Sequence, residues 1–326
     1  MKGKIKHSKP IKILVTGAGG FIGFHLVKYL KNKGYWVRGV DIKEPEFEKT
    51  SANEFLLLDL RSKRNCETAV DGMEWVFNLA ANMGGIGYIT KVHSPIMRDN
   101  TLINLHMIEA AKKANVKRYF FSSSACVYPV YLQNKPNISG LKEHEAWPAE
   151  PDSFYGLEKL YAEKLLEAYQ SETNMQIRIA RFHNIYGPQG TWNGGKEKAP
   201  AALSRKVAKA IDGSSIEIWG DGKQTRSFCY IDDCLEGFYR LMLSDYQSPL
   251  NIGSERMVSI DELADIIIEI SKKNLTKTHN KSAPQGVRGR NSDNSIMKEV
   301  LNWEPKISLE QGLVITYKWI KKQVEG

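Results

Sequence analysis

The chain has 326 residues, 42% of them hydrophobic and 25% charged, with a formal net charge of +9. That length can bury one large core or two smaller ones, and the composition excludes a disordered or fibrous chain. No window reaches the roughly 18 unbroken apolar residues of a membrane span, and no basic run is interleaved with stacking aromatics, so neither membrane nor nucleic acid is expected as a partner.

The N-terminus, MKGKIKHSKP, is basic, and the apolar run that follows is too short for a signal-peptide core. It reads as a variable tail ahead of a first strand. In chain order, Ile11 to Thr16 is a buried strand, followed by a Gly-rich turn and a helix that carries Phe21, Leu26 and Leu30 inward. Tyr35 to Asp41, Phe55 to Asp59 and Trp75 to Leu79 are further strands. Ile96 to Ala114 is a helix, with Ile96, Asn100, Ile103, Met107 and Ala111 at helical stride. Tyr119 to Ser122 is a strand, Tyr155 to Tyr169 a helix, and Ile177 to Arg181 a sixth strand. This alternation is the signature of an α/β, Rossmann-type doubly wound parallel sheet.

Residues 1–182 are therefore expected to form the sheet domain. Residues 183–326 are expected to form a smaller mixed α/β domain, with some segments returning to pack on the first. GPQGTWNGG, Gly187 to Gly195, reads as a long loop, and the final helix carries Leu309, Leu313, Tyr317 and Ile320 on one face. Lysines in SKKNLTKTHNKS look solvated. Four cysteines, Cys66, Cys126, Cys229 and Cys234, make no disulfide framework and point to a reducing cytoplasm. The seven histidines lack metal-ligand spacing, and Cys229 and Cys234 are no C-x-x-C pair, so no metal is expected.

TGAGGFIG places Gly17, Gly20 and Gly23 between strand and helix. Glycine there lets the backbone approach a pyrophosphate, whose charge the helix N-terminus stabilises. Phe21 and Ile22 complete the turn. Asp41 closes the second strand about 20 residues on, where a carboxylate holds the ribose 2′-hydroxyl and repels a 2′-phosphate. NAD is expected over NADP, with Asp59 toward the adenine and Ala80 lining the cofactor. An ordinary strand-end turn is the plainer reading of Asp41.

Tyr155-x-x-x-Lys159 puts a phenol and an ammonium on one helical face at i, i+4. A phenol with a reference pKa of about 10 needs nearby positive charge to serve as a base. With the glycine turn upstream and the serine run Ser122 to Ser124 after the fifth strand, the chain resembles the extended short-chain dehydrogenase/reductases. That resemblance implies a triad of Ser124, Tyr155 and Lys159, oxidation of a sugar carbinol by NAD, and a homodimer pairing helices Ile96 to Ala114 and Tyr155 to Tyr169.

Cys126, in SSSACVYP, has two readings from position alone: an inert buried thiol or a carbon-acid base. Lys198, in GGKEKAP, is likewise a solvated loop charge or the proton donor on the opposite face of a ring. Dehydratase-like relatives place an Asp-Glu pair where Ala125 and Cys126 stand, and Ala125 protonates nothing, which disfavours dehydration. ANMGGIGYI, SSSACVYP, AWPAEP, YGLEKL, RFHNIYGPQGTW, GGKEKAPAA, WGDGKQTRSF, LNIGSERMVS and GVRGRNSDN together resemble the GDP-mannose 3,5-epimerases.

This closer resemblance implies that Cys126 and Lys198 are the acid/base pair. It implies that Gly84 and Gly85 border the sugar, that Asn184, Glu197 and Ala199 line hexose and diphosphate, and that Lys206, Gln224 and Arg226 contact the nucleotide. Arg290 would form a fork on the diphosphate, with Arg288 beside it. The activity it implies is conversion of GDP-D-mannose to GDP-L-galactose, with GDP-L-gulose from inversion at C5 alone. Epimerisation of another GDP-hexose or GDP-heptose, a 4,6-dehydratase or 4-epimerase, and a non-catalytic NAD-binding regulatory protein are the alternatives.

Overall fold

The strands form because apolar residues run almost unbroken through short segments bounded by glycine and polar turns, as in sheets covered on both faces. A computed structural model describes residues 10–326, so the tail Met1 to Lys9 lies outside the described residues. Seven parallel strands make the main sheet, in the order Glu54–Leu57, Trp36–Asp41, Lys12–Thr16, Trp75–Asn78, Arg118–Ser124, Gln176–Phe182 and Leu250–Ile252. Each neighbouring pair runs parallel. The expected strands are all present, with ends shifted by one or two residues, and Leu250–Ile252 joins them from far down the chain.

Alternation along each strand divides the core into two faces. Ile13, Val15, Phe77 and Phe120 pack with Leu26 and Leu30 of the helix Phe21–Asn32 and with Phe238 of the helix Ile231–Leu243. Leu14, Val76, Tyr119 and Phe121 face the other way, against Met107 of the helix Ser94–Lys113 and Leu166 of the helix Phe154–Glu172. The sequence expectation for the helix Ser94–Lys113 holds in detail, because Ile96, Asn100, Ile103, Met107 and Ala111 are its buried face.

Beyond residue 182 lie three small sheets: Met257–Ser259 with Thr225–Ser227 and Gly289–Arg290, Ser215–Trp219 with Thr276–Asn280, and Ile185–Tyr186 with Cys229–Tyr230. The helices Ala199–Lys209, Ile260–Ser271 and Leu309–Glu325 belong to this part. Among the described residues no helix is long and apolar enough to cross a membrane.

Parallel strands bring their carboxyl ends to one edge, which is where open α/β sheets bind ligands. Ser124 and Phe182 end adjacent strands there. Beneath that edge Arg181 pairs with Glu163 at 2.7 Å, both side chains at most 3% exposed. Glu163 also accepts the Ser123 hydroxyl, and Arg181 donates to the Glu143 carbonyl. Removing one partner of a buried pair leaves an uncompensated charge. Arg181→Met should therefore destabilise by about 3–5 kcal/mol in urea unfolding, whereas Lys113→Met, which breaks the exposed pair with Glu67, should cost less than about 1 kcal/mol. Equal losses would show that the pair does not fasten this edge.

Candidate active site

The dinucleotide turn has the backbone shape its glycines suggested. Gly17 has a φ of +69°, a left-handed conformation that favours glycine. The second glycine of that run, Gly19, is one the sequence reading missed. Its N–H donates to Asp41 Oδ2 at 2.9 Å, and a Cβ on it would lie 2.2 Å from the Lys43 carbonyl oxygen. Asp41 Oδ1 accepts the backbone N–H of Ile42 at 2.7 Å. The carboxylate is thus held rigidly at the strand end beside the turn.

Gly20 opens the helix Phe21–Asn32 with no side-chain cap and no acidic residue in its first turn, which leaves the first N–H groups free for an anion. A dinucleotide fits this cradle: the turn and helix end suit a pyrophosphate, and Asp41 suits a ribose hydroxyl pair. Ala80 N–H donates to Thr16 Oγ1 at 3.0 Å, which fixes the neighbouring strand end. Asp59 is engaged by Arg61, whose Nε lies 3.0 Å from each carboxylate oxygen, and this pairing holds its pKa low.

A cleft with a cavity volume of about 240 Å³ opens beyond the strand ends, between the sheet edge and the segments that follow residue 182. Ser124, Ala125, Cys126, Tyr155, Asn184, Glu197, Lys198 and Ala199 line it, as do Gly84, Gly85, Lys206, Gln224, Arg226 and Arg290. Residues spread over two hundred positions therefore meet in one cleft. Arg288 does not line the cleft. Its guanidinium forms a fork on Asp221, at 2.9 and 3.1 Å, so its charge is already answered.

Local sequence explains the sulfur's place. Ser124 caps the turn Ala125–Val127 by accepting the Cys126 N–H at 3.2 Å. Gly156, just after Tyr155, lets the helix Phe154–Glu172 approach that turn, since a Cβ there would lie 2.1 Å from the Cys126 carbonyl oxygen. The same helix is capped by Ser153, which accepts the Gly156 N–H at 3.2 Å. Phenol and thiol are therefore locked together by backbone contact.

Arg290 lines the cleft with its guanidinium already engaged. Its Nε donates to Gln133 Oε1 at 2.6 Å, its Nη1 to Cys126 Sγ at 3.2 Å, and its Nη2 to Asp152. The residue is only 6% exposed, and the thiol is one of its partners. Gln133 and Asp152 were not foreseen. Asp152 precedes Ser153 in a motif that reads as a plain helix start.

Gly84 and Gly85 line the cleft. A Cβ on Gly85 would lie 2.3 Å from the Glu197 carbonyl oxygen, and one on Gly84 would lie 2.9 Å from Tyr88. Close approach of these neighbouring protein atoms favours glycine at both positions. The Gly85 N–H donates to Lys196 O at 2.9 Å and so ties this loop to the Lys198 segment. Glu197 in turn accepts from Arg205 at 2.6 Å and from Gly195 N–H at 2.7 Å. Asn184 holds a φ of +46°, which asparagine tolerates, and donates to Ser227 O at 2.9 Å.

Electrostatics separate the groups. Burial pushes the Tyr155 phenol above its ordinary range, with Cys126 and Glu158 adding to it, while the Ser124 hydroxyl works the other way. The Lys159 ammonium donates to Ser122 O at 2.9 Å and lies 5.8 Å from the Tyr155 ring centre. Burial also raises Cys126 and lowers Lys198. The Lys198 amine has no hydrogen bond or ion pair among the described residues.

Arg226 donates only to the carbonyls of Thr225, Gln285 and Val287, and burial followed by the charge of Arg290 pulls it down to about 9. No carboxylate pairs with it among the described residues. Gln224 donates to Trp219 O at 2.8 Å, and its Oε1 is buried without a partner. Lys206 donates to Glu217 O at 2.6 Å and lies 5.7 Å from the Trp219 ring centre. Trp219, 40% exposed on the cleft wall, is a further residue that sequence reasoning passed over.

Comparison with known proteins agrees with this geometry. GDP-mannose 3,5-epimerase of Arabidopsis thaliana is 50% identical over 320 residues, covering 98% of this chain and 84% of that protein. GDP-mannose 3,5-epimerase 1 of Oryza sativa subsp. japonica matches with the same identity and coverage. Among solved structures, the UDP-glucose 4-epimerase of Thermotoga maritima, crystallised with UDP-glucose, superposes with a TM-score of 0.87 at 28% identity, over 96% of this chain and 100% of that one. The family model for NAD dependent epimerases and dehydratases matches residues 13–253. With the glycine turn, Tyr155 and Lys159 all on that matched span, the chain belongs to the NAD dependent epimerase/dehydratase family.

Proposed function

We propose that the chain is a GDP-mannose 3,5-epimerase, converting GDP-D-mannose to GDP-L-galactose, with GDP-L-gulose from inversion at C5 alone. The relatives at 50% identity support the substrate. The observation that carries the chemistry is a thiol and an unpaired amine lining one cleft with Tyr155. NAD, held by the glycine turn and Asp41, supplies the reversible oxidation at C4.

Tyr155 takes the C4 hydroxyl proton and later returns it, with Ser124 orienting the oxygen. A ketone at C4 acidifies the hydrogens at C3 and C5, so a modest base suffices to remove them. Cys126 removes such a proton, and Lys198 delivers one to the opposite ring face, since a single group would return it where it came from. Burial lowers the Lys198 pKa, which suits an amine that must give up its proton near neutrality. Arg226 carries the uncompensated positive charge that a diphosphate answers. The 4,6-dehydratase alternative lacks an acid at Ala125.

A homodimer belongs to the same reading. Phe154, Leu157 and Tyr161 are 51%, 43% and 52% exposed along one side of their helix, an apolar stripe of the kind covered by a partner. A cytoplasmic setting is supported by four cysteines that are all free.

In deuterated solvent, Cys126→Ala should slow exchange at C5 of GDP-mannose by about 10²–10⁴-fold, while Lys198→Ala should still exchange but invert poorly. Wild-type exchange in Cys126→Ala, followed by NMR of the sugar ring, would remove the base assignment. Tyr155→Phe should form no reduced nicotinamide on mixing with substrate, read by near-ultraviolet absorbance. Leu157→Glu should convert a dimer to a monomer in light scattering; an unchanged mass would move the interface elsewhere.

A further inference from the structure

The proton chemistry assigned above to Cys126 asks something unusual of a sulfur, since it must take a proton from carbon and shed it again within one cycle. A thiol in contact with a guanidinium alone tends toward a permanent thiolate, which is a weak base and a poor proton donor. The structure contains a counterweight. Asp152 Oδ2 accepts from the same guanidinium, Arg290, that donates to the sulfur, and Asp152 Oδ1 accepts the Ser153 hydroxyl at 2.8 Å. The pair is deeply placed, with side chains 7% and 12% exposed, so little solvent screens it.

We propose that Asp152 is a positioning residue for Cys126: its carboxylate offsets the charge of Arg290 at the sulfur, so that the thiolate stays basic enough to take a proton from carbon. This rests on the epimerase reading of Cys126. The other charged or titratable groups facing the sulfur are Tyr155, on the helix that packs against its turn, Lys198 and Arg226 across the cleft, and Arg290 itself. Of the carboxylates, Asp152 alone acts on it in that set. Burial comes first in raising the thiol, and Asp152 adds to it while Arg290 opposes both.

Charge and orientation can be separated here. The guanidinium is also gripped at Nε by Gln133, whose own amide donates to Tyr128 O at 3.0 Å and to Pro129 O at 3.1 Å. Gln133 is wholly buried. An uncharged side chain at 152 therefore leaves Arg290 against the sulfur, now without its counter-charge.

The test is alkylation of the full-length chain by iodoacetamide across a pH series, without sugar, with mass spectrometry of the Cys126 peptide. Cys66, Cys229 and Cys234 are at most 1% exposed and serve as internal controls. Asp152→Asn should lower the Cys126 midpoint by about one pH unit or more, about tenfold more thiolate below the midpoint. Asp152→Glu should keep the wild-type midpoint. A mere loosening of the fold would raise the rate at every pH without moving the midpoint.

A midpoint in Asp152→Asn equal to or above that of the wild type overturns the proposal. Should Asp152→Asn fail to fold, Asp152→Ser carries the same expectation and the same overturning result. The readout needs no substrate. Failure of the C5 exchange experiment would thus remove the catalytic role of Cys126 and leave this charge arrangement separately decided.

Discussion

The buried ion pair between Arg181 and Glu163 is the contact on which the active edge depends. Two charges taken from water bring little net stability, because desolvation cancels most of their attraction. What they supply is connectivity. Glu163 belongs to the helix of Tyr155 and Lys159, and it also accepts Ser123, one residue before Ser124. Arg181 sits on the adjoining strand and reaches Tyr128, whose hydroxyl donates to Asn251 at 2.6 Å. Asn251 donates to Leu141 O and Asp293 O, close to Arg290. One polar network thus joins the helix that carries Tyr155, the strand that ends at Ser124 and the strand of Asn251.

In and around the cleft, positive charge is abundant but unevenly committed. Arg288 is paired with Asp221, Arg290 with Asp152, and Arg205 with Glu197. Lys198 and Arg226 line the same cleft without any carboxylate partner among the described residues. A polyanionic ligand would be drawn to the uncommitted pair, because a charge already answered gains little from a second anion. The basic excess of the whole chain says nothing of this. Only pairing tells which cations are free to bind.

Burial sets the same direction for each group that handles a proton. It raises phenol and thiol and lowers both amines, Lys159 and Lys198, bringing every group toward its neutral form. The tight backbone contact at Gly156 keeps phenol and thiol in register.

Much was legible in the sequence because it is local. Strand and helix periods, the glycine turn with Asp41, the capped serine turn and the i, i+4 spacing of Tyr155 and Lys159 all follow from residues within a few positions of one another. Family resemblance supplied Cys126 and Lys198 as partners, and the fold brings both to the same cleft. Sequence proximity could not reveal that Arg290 would donate to a sulfur 164 positions earlier, or that Arg288, two residues away, would face Asp221 instead. Nor could it show that Gly85 yields to a backbone carbonyl. The chain alone determined which chemical groups are available and where their elements begin; the partner each charge finds depended on tertiary packing, because pairing is decided by distances in space that sequence separation does not encode.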